Sequence, residues 1–419
     1  MKTAIVNFNG GEYSPKIDAR ADTEKHAGGC RKLENMIPSI FGGAEKRPGT
    51  EFITIGGAGC YFEPPASDPT KIGISTAAEL QLVGSGGAYP ITGDYELLND
   101  IDCTGIDWVP INSVFGAPFA GTFDGRYFTI SNMSVTISPG NTWQGAGLFG
   151  QISSAGSGQI TALQRIIIIN ASITSTYAAS MPRGLLVGLD LHAGTTIYDC
   201  YTQGSIQSNT NINLFTAGGL IGQPAASGIY LRCGTDVTIT AAGTGTATMC
   251  GGFSGRSDNG RITYTDCYAI ATITAGTLNI IGGFSPLTTY RDNVDVRNIY
   301  TNCYCATTIS GSVNSNVGGF LGAFSVGSDM DEDFNSCYWD GDVQGVLDLE
   351  DCGLLASTGV AGDLDGVTKS TTSAMQTQAT FTDAGWDFTP NTGVWRIRPN
   401  DYPRHQWWYN ATECVWIHN

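Results

Sequence analysis

Two short phrases return along this chain with one shared period, and that periodicity limits its fold more than any other feature. The first phrase sets glycine before bulky apolar residues: "AGLFG" at Gly147, "RGLLVG" at Gly184, "GGLIG" at Gly219, "GGFSG" at Gly252, "GGFSP" at Gly283 and "GGFLG" at Gly319, at steps of 37, 35, 33, 31 and 36 residues. The second, of the form "ITYTDCYAIATIT" or "IYTNCYCATTIS", places Cys200, Cys233, Cys267, Cys303 and Cys337 at steps of 33, 34, 36 and 34. After each cysteine the side chains alternate, as in Tyr268-Ala269-Ile270-Ala271-Thr272-Ile273-Thr274. That is the period of a strand with one buried face.

A unit of this size cannot bury its apolar face alone, so neighbouring units must stack into a continuous core. The predicted fold is all-β: a parallel β-solenoid of ~34-residue repeats, preceded by an extended N-terminal arm with a short helix. The glycines serve tight turns or close approach between coils. Cysteines in register would stand about 4.8 Å apart with parallel Cβ vectors, a poor disulfide geometry, so they read as small buried hydrophobes. The spacing leaves open whether a repeat is one coil, or one coil plus a hairpin excursion.

Composition agrees with turns and strands: 56 glycines, and only 14% charged residues. Net charge is −17, and residues 1–51 are nearly neutral, with 8 basic and 7 acidic side chains, so the acidity belongs to the remainder. An acidic body without a Lys/Arg stripe excludes a nucleic-acid surface. No charged n-region and apolar h-region follow Met1, and the longest apolar run is Ile166–Ile169, so neither secretion by a signal peptide nor membrane insertion is expected. The twelve cysteines, thinly spread, are expected to be mostly free thiols.

The repeats resemble the GLUG-motif repeats of bacterial and phage surface proteins. The run "ISTAAELQLV…YELLNDIDCTGIDWVPI…FAGTFDGRYFTISNM" (Ile74–Met133) resembles the lead-in those proteins place before their repeats, and "MQTQATFTDAGWDF…GVWRIRPNDYPRHQW" (Met375–Trp407) resembles their closing segment. The resemblance implies a surface β-solenoid, usually without known catalytic activity. The opening "NFNGGEYSPKIDARADTEKHAGGCRKLENMIPSIFGGAEKRPGTEFI" (Asn7–Ile53) lacks the period and resembles the start of tail tubular or nozzle proteins of short-tailed bacteriophages. Within it, Thr23–Met36 reads as a short helix, and "RPGT" as a turn feeding a strand at Glu51–Ile55.

The expected organisation is therefore a docking arm over 1–55, a Pro/Gly linker over 56–72, a solenoid lead-in or N-terminal cap over 73–146, repeats over 147–345 and a C-terminal cap over 346–419. Asn9, Asp18, Arg20, Asp22, Arg31, Asn35 and Arg47 are the candidate anchor and subunit contacts. The ladder residues are Gly147, Gly184, Gly219, Gly252, Gly283 and Gly319 with the five cysteines.

No P-loop, HExxH, nucleophile elbow or CxxC pair is present, and His26, His192, His405 and His418 are scattered, so no catalytic residue, metal or cofactor is assigned. Asp329, Asp331 and Asp333 are a weak calcium candidate, against the plainer reading of a solvated loop. Asp124 in "GTFDGRYF" reads as an Asp-Gly turn before it reads as a glycan-cleaving carboxylate. Trp386, Trp395, Trp407, Trp408 and Trp416 read as a cover for the open solenoid end.

The expected function is non-enzymatic: a structural protein of the virion tail, assembled in the host cytoplasm. Its partners would be other tail or neck proteins and further copies of itself around the tail axis, with a host surface glycan or protein as the outward contact. A glycan-cleaving tailspike and a bacterial adhesin are the rival readings.

Overall fold

In the computed structural model, residues 64–413 form one compact unit, and residues 1–63 with 414–419 form another. The described residues are those of 64–413 apart from 115–116, 154–160, 178–179, 192–193, 209–213, 225–226, 242–246, 259–261, 276–278, 290–297, 312–314, 325–332, 345–348 and 354–360. In the other unit, the backbone of seven short strands is described.

The larger unit is a parallel β-solenoid. One coil runs through strands Thr196–Tyr198, Tyr201–Ser208, Leu214–Gly218 and Ile221–Gln223. Each pairs in parallel with its counterpart one period on: Thr196 with Ile229, Tyr201 with Gly234, Leu214 with Ala247 and Ile221 with Ser254. One repeat is thus one coil, which settles the alternative the spacing left open. The first sheet holds nine strands, from Ile72–Ile74 to Asp333–Asn335, and the second holds ten.

The repeated letters become ladders. Tyr230, Tyr264, Tyr300 and Phe334 stack at centroid separations of 5.1, 4.9 and 4.9 Å. Phe253, Phe284 and Phe320, the aromatics after the glycine pairs, stack at 4.8 and 5.2 Å. The two columns meet edge to face, as for Phe253 on Tyr264 at 5.6 Å and 90°. Such pairs contribute about 0.5–1.5 kcal/mol each beyond area burial. A third column of Val135, Ile173, Ile206, Ile239, Ile273 and Ile309 fills the core beneath the longest strands.

The five cysteines lie wholly buried in register, as expected, with free thiols. Each donates to a carbonyl of the preceding coil, for example Cys267 Sγ to Tyr230 O at 3.5 Å. Burial holds the thiols of Cys200, Cys267 and Cys303 well above their ordinary pKa.

Of the predicted ladder glycines, Gly219, Gly252, Gly283 and Gly319 share one column, while Ala146 bridges Arg183 and so sets Gly147 beside Gly184, outside that column with Gly184. Gly184 pairs with Gly218, and the amide of the next residue, Leu185, donates to the Gly219 carbonyl. The ladder site in that coil is therefore Leu185, because "RGLLVG" carries one glycine where later repeats carry two. Where the column carries glycine the neighbouring coil is too close for a side chain: a Cβ on Gly252 would lie 2.3 Å from Gly283 O.

Tyr95 and Phe123 occupy the same sheet column as Leu163 and Ile197, so strands of the segment 73–146 continue the solenoid's first sheet. At its start, Thr76 and Glu79 form a capping box for helix Ala77–Leu82, whose Leu80 is buried. Residues expected as linker are structured too: Gly59–Phe62 is a strand, the Arg126 guanidinium donates to Pro65 O at 2.8 Å, and the Asp68 amide donates to Glu96 at 3.1 Å. Backbone hydrogen bonds to buried polar groups override the disorder that Pro and Gly suggest.

In the smaller unit, Phe52–Ile55 forms the expected strand and pairs antiparallel with Gly59–Phe62, which Val415–Trp416 joins in parallel. The helix expected over 23–36 is contradicted at Gly29–Cys30, a strand paired with Gly11–Glu12. Its Gly28-Gly29 pair lowers helix propensity at that point.

Candidate functional site

The closing segment supplies the chemistry of the outer surface. The second sheet carries an outward row of Tyr201, Gly234, Tyr268, Tyr304 and Tyr338, one per coil. Helices Thr372–Met375 and Gln378–Thr382 place Phe381 and Trp386 against Tyr338, at 5.2 and 6.0 Å. From there the chain runs back along the solenoid. Trp395 lies 6.1 Å from Tyr304 and 6.2 Å from Tyr268, His405 5.2 Å from Tyr268, Trp408 5.5 Å from Tyr201 and Trp407 5.3 Å from Tyr127. The tryptophans predicted to close the end of the solenoid instead form a strap down its side. Among the described residues, 349–353 and 361–370 contribute to the final coil, where the Phe320 amide donates to Asp351 O and Val367–Ser370 pairs with Cys337–Asp340. The side chain of Trp416 lies outside the described residues.

The strap is fastened by polar contacts as well as rings. Trp395 Nε1 donates to Asp266 at 3.1 Å, and the Tyr304 hydroxyl donates to Pro403 O at 2.5 Å. Arg404 binds Asp236 through both terminal nitrogens, at 3.0 and 3.2 Å. Wholly buried His405 sets Nε2 2.7 Å from Asp266 O, and burial together with the charges of Arg232 and Arg404 lowers its pKa to about 3 despite that bond.

Between the strap and the open part of the sheet lies a groove of about 360 Å³. Two outward columns line it: Gln203, Asp236, Ile270 and Ala306, and beside them Thr238, Thr272 and Thr308. Tyr402 and Val343 line it as well. Its carboxylate, Asp236, is already paired with Arg404, and nearby Asp340 accepts from the Tyr402 hydroxyl at 2.6 Å. The groove thus offers hydroxyls, an amide and a compensated charge.

A second polar line follows the corner between the two large sheets. Arg165, Asp199, Arg232, Asp266, Asn302 and Ser336 all have φ between 50° and 54°, a left-handed turn repeated in each coil. Their side chains pair along the axis: Arg232 reaches Asp199 at 2.6 and 3.0 Å, and Asn302 reaches Asp266 at 3.1 Å. Asp124 belongs to this line. It accepts from the Arg126 amide at 2.9 Å, the expected turn contact, and pairs with Arg165 and with Lys71 at 3.1 Å. Burial raises its carboxyl, and the hydrogen bonds from Arg165 and Arg126 outweigh that, leaving its pKa lowered. The sequence shows no period in residue type at this corner, so the line was missed. Only the position repeats, one before each of the five cysteines and before Ile166.

The candidate anchors Asn9, Asp18, Arg20, Asp22, Arg31, Asn35 and Arg47 lie outside the described residues, as do Asp329 and Asp331. Asp333 begins a strand and is exposed. Among the described residues, no three His, Cys, Asp or Glu side chains are grouped to hold a metal ion, and no helix is long and apolar enough to cross a membrane.

No protein-family model matches the chain. It is 27% identical over 249 residues to halomucin of Haloquadratum walsbyi, an alignment covering 54% of this chain and 2% of halomucin. Its fold is similar to the crystal structure of a candidate immunoglobulin A1 protease from Bacteroides ovatus, with a TM-score of 0.58 and 21% identity over 81% of this chain and 94% of that one.

Proposed function

We propose that this chain is a surface-displayed structural protein whose solenoid serves as a rigid spacer and contact face, carried on a bacteriophage tail by its N-terminal segment. The observation that carries the first half is the strap, which joins coils from Tyr338 back to Tyr127 along one side while leaving the adjoining hydroxyl columns open. A body of stacked coils, each hydrogen-bonded to the next, resists bending and presents the same surface at every repeat.

The sequence relative, which is named a halomucin, supports a surface setting. The tail assignment rests on the resemblance of Asn7–Ile53 to phage nozzle proteins. That reading requires other tail or neck proteins and further copies of this chain as partners. The adhesin reading uses the same relative and differs in location.

Deleting residues 1–55 tests it. The truncated protein is expected to keep its far-ultraviolet β spectrum and its solubility, yet be missing from purified phage particles. Incorporation of the truncated protein into particles would refute the anchor, and absence of the full chain from every particle would leave the adhesin in its place.

A further inference from the structure

The groove beside the strap has a lining that selects among ligand classes. It spans four coils, from Gln203 to Thr308, or about 14 Å at the ~4.8 Å spacing of paired strands. Its volume falls within the range of ligand clefts.

Charge excludes the ionic polymers. Its one lining carboxylate is neutralised by Arg404, and no Lys or Arg lines it, so neither a polyanion nor a bare cation finds a partner. Geometry excludes an added peptide strand. The floor is the face of a sheet whose strands Tyr201–Ser208, Gly234–Ala241, Tyr268–Ala275 and Tyr304–Gly311 are paired in unbroken register, so no open backbone edge is offered.

What remains is a repeating row of short hydroxyls with an apolar strip beside it. Thr238, Thr272 and Thr308 each present a group that both donates and accepts, while Ile270, Ala306 and Val343 offer carbon surface. The polar surface continues outward, where Thr240, Thr274 and Ser310 form the next column and Thr274 lies 3.0 Å from Ser310 between hydroxyls.

We infer that this groove binds an extended segment of a neutral polysaccharide, lying along the solenoid axis with its hydroxyls on the threonine row and its C–H faces on Ile270 and Ala306. The inference deepens the reading of the solenoid as a contact face and rests on it.

Affinity electrophoresis of the full chain through gels containing dextran, mannan or laminarin, with polygalacturonate as the charged comparison, tests it. At least one neutral polymer is expected to retard the protein, and the isosteric variant Thr238→Val/Thr272→Val/Thr308→Val should bind at least tenfold more weakly with an unchanged β spectrum. Thr272→Arg, a single change on the outer face that fills the groove, decides the matter if the triple variant does not fold. Lack of retardation by all three neutral polymers, unchanged binding by the variants, or stronger retardation by polygalacturonate overturns the inference. Location on particles is measured separately, so a chain found on the tail that binds no neutral polymer sinks this inference and leaves the structural reading standing.

Discussion

His405 shows how a single side chain can tie surface chemistry to stability. It is wholly buried between Tyr268, Trp395 and Trp407, and its pKa is lowered from 6.5 to about 3. Because the folded value is the lower one, the unfolded chain takes up this proton first as pH falls below about 6.5. Stability is lost from there down to about pH 3, by at most roughly 5 kcal/mol. The melting temperature of the wild-type protein is therefore expected to fall more steeply between pH 6.5 and 4 than that of His405→Phe, which keeps the ring and removes the titration. Asp266, whose carboxyl is raised by burial, contributes with the opposite sign and is common to both proteins, so the difference isolates the histidine. Parallel melting curves would remove His405 from the account of acid sensitivity.

At the scale of the element, the glycine column sets how closely the coils stack. A Cβ at position 252 would lie 2.3 Å from Gly283 O and 2.9 Å from Ala269 Cβ, so backbone, rather than a movable side-chain tip, must give way. Gly252→Ala is expected to cost about 3 kcal/mol or more, in the range of overpacked cores. Gly86→Ala is the comparison. Its added carbon meets nothing, and its positive φ of 97° is its one source of strain, about 1–2 kcal/mol. Urea titration of both variants should show the larger loss at Gly252, and equal losses would mean that the coils can separate without penalty. The Cys column teaches the same lesson from its filled side. A thiol is small enough to sit beneath each left-handed corner and still donate to the coil before it, which is why the motif could be read as architecture from spacing alone.

At the scale of the molecule, the strap is what turns a stack of coils into a one-sided body. It covers the Tyr268, Tyr304 and Tyr338 rings, of which Tyr268 and Tyr304 are wholly buried, and each buried aromatic contributes about 1.5–3 kcal/mol. A chain ending at residue 376 is expected to retain its β spectrum, melt at lower temperature, bind a hydrophobic dye and associate through the uncovered tyrosine row. Size-exclusion chromatography with dye fluorescence reads this directly. A monomeric truncated protein with an unaltered melting temperature would show that the strap does not stabilise the solenoid.

The sequence by itself determined the period, the parallel coil, the buried cysteines and the columns of aromatics and glycines, because a stacked solenoid makes neighbours of residues one repeat apart and so writes its contacts as periodicity. The same logic misplaced Gly184, where one coil lacks the second glycine, and found no period across 73–146, where the spacing of the column from Tyr95 to Phe123 to Leu163 is irregular. The tertiary structure alone decided the path of the closing segment and the groove beside it. Trp395 meets Asp266 across 129 residues and Arg404 meets Asp236 across 168, contacts that occur once and have no period. Their position follows from which outer surface the tryptophans could bury after the last coil had formed, and no local pattern encodes that choice.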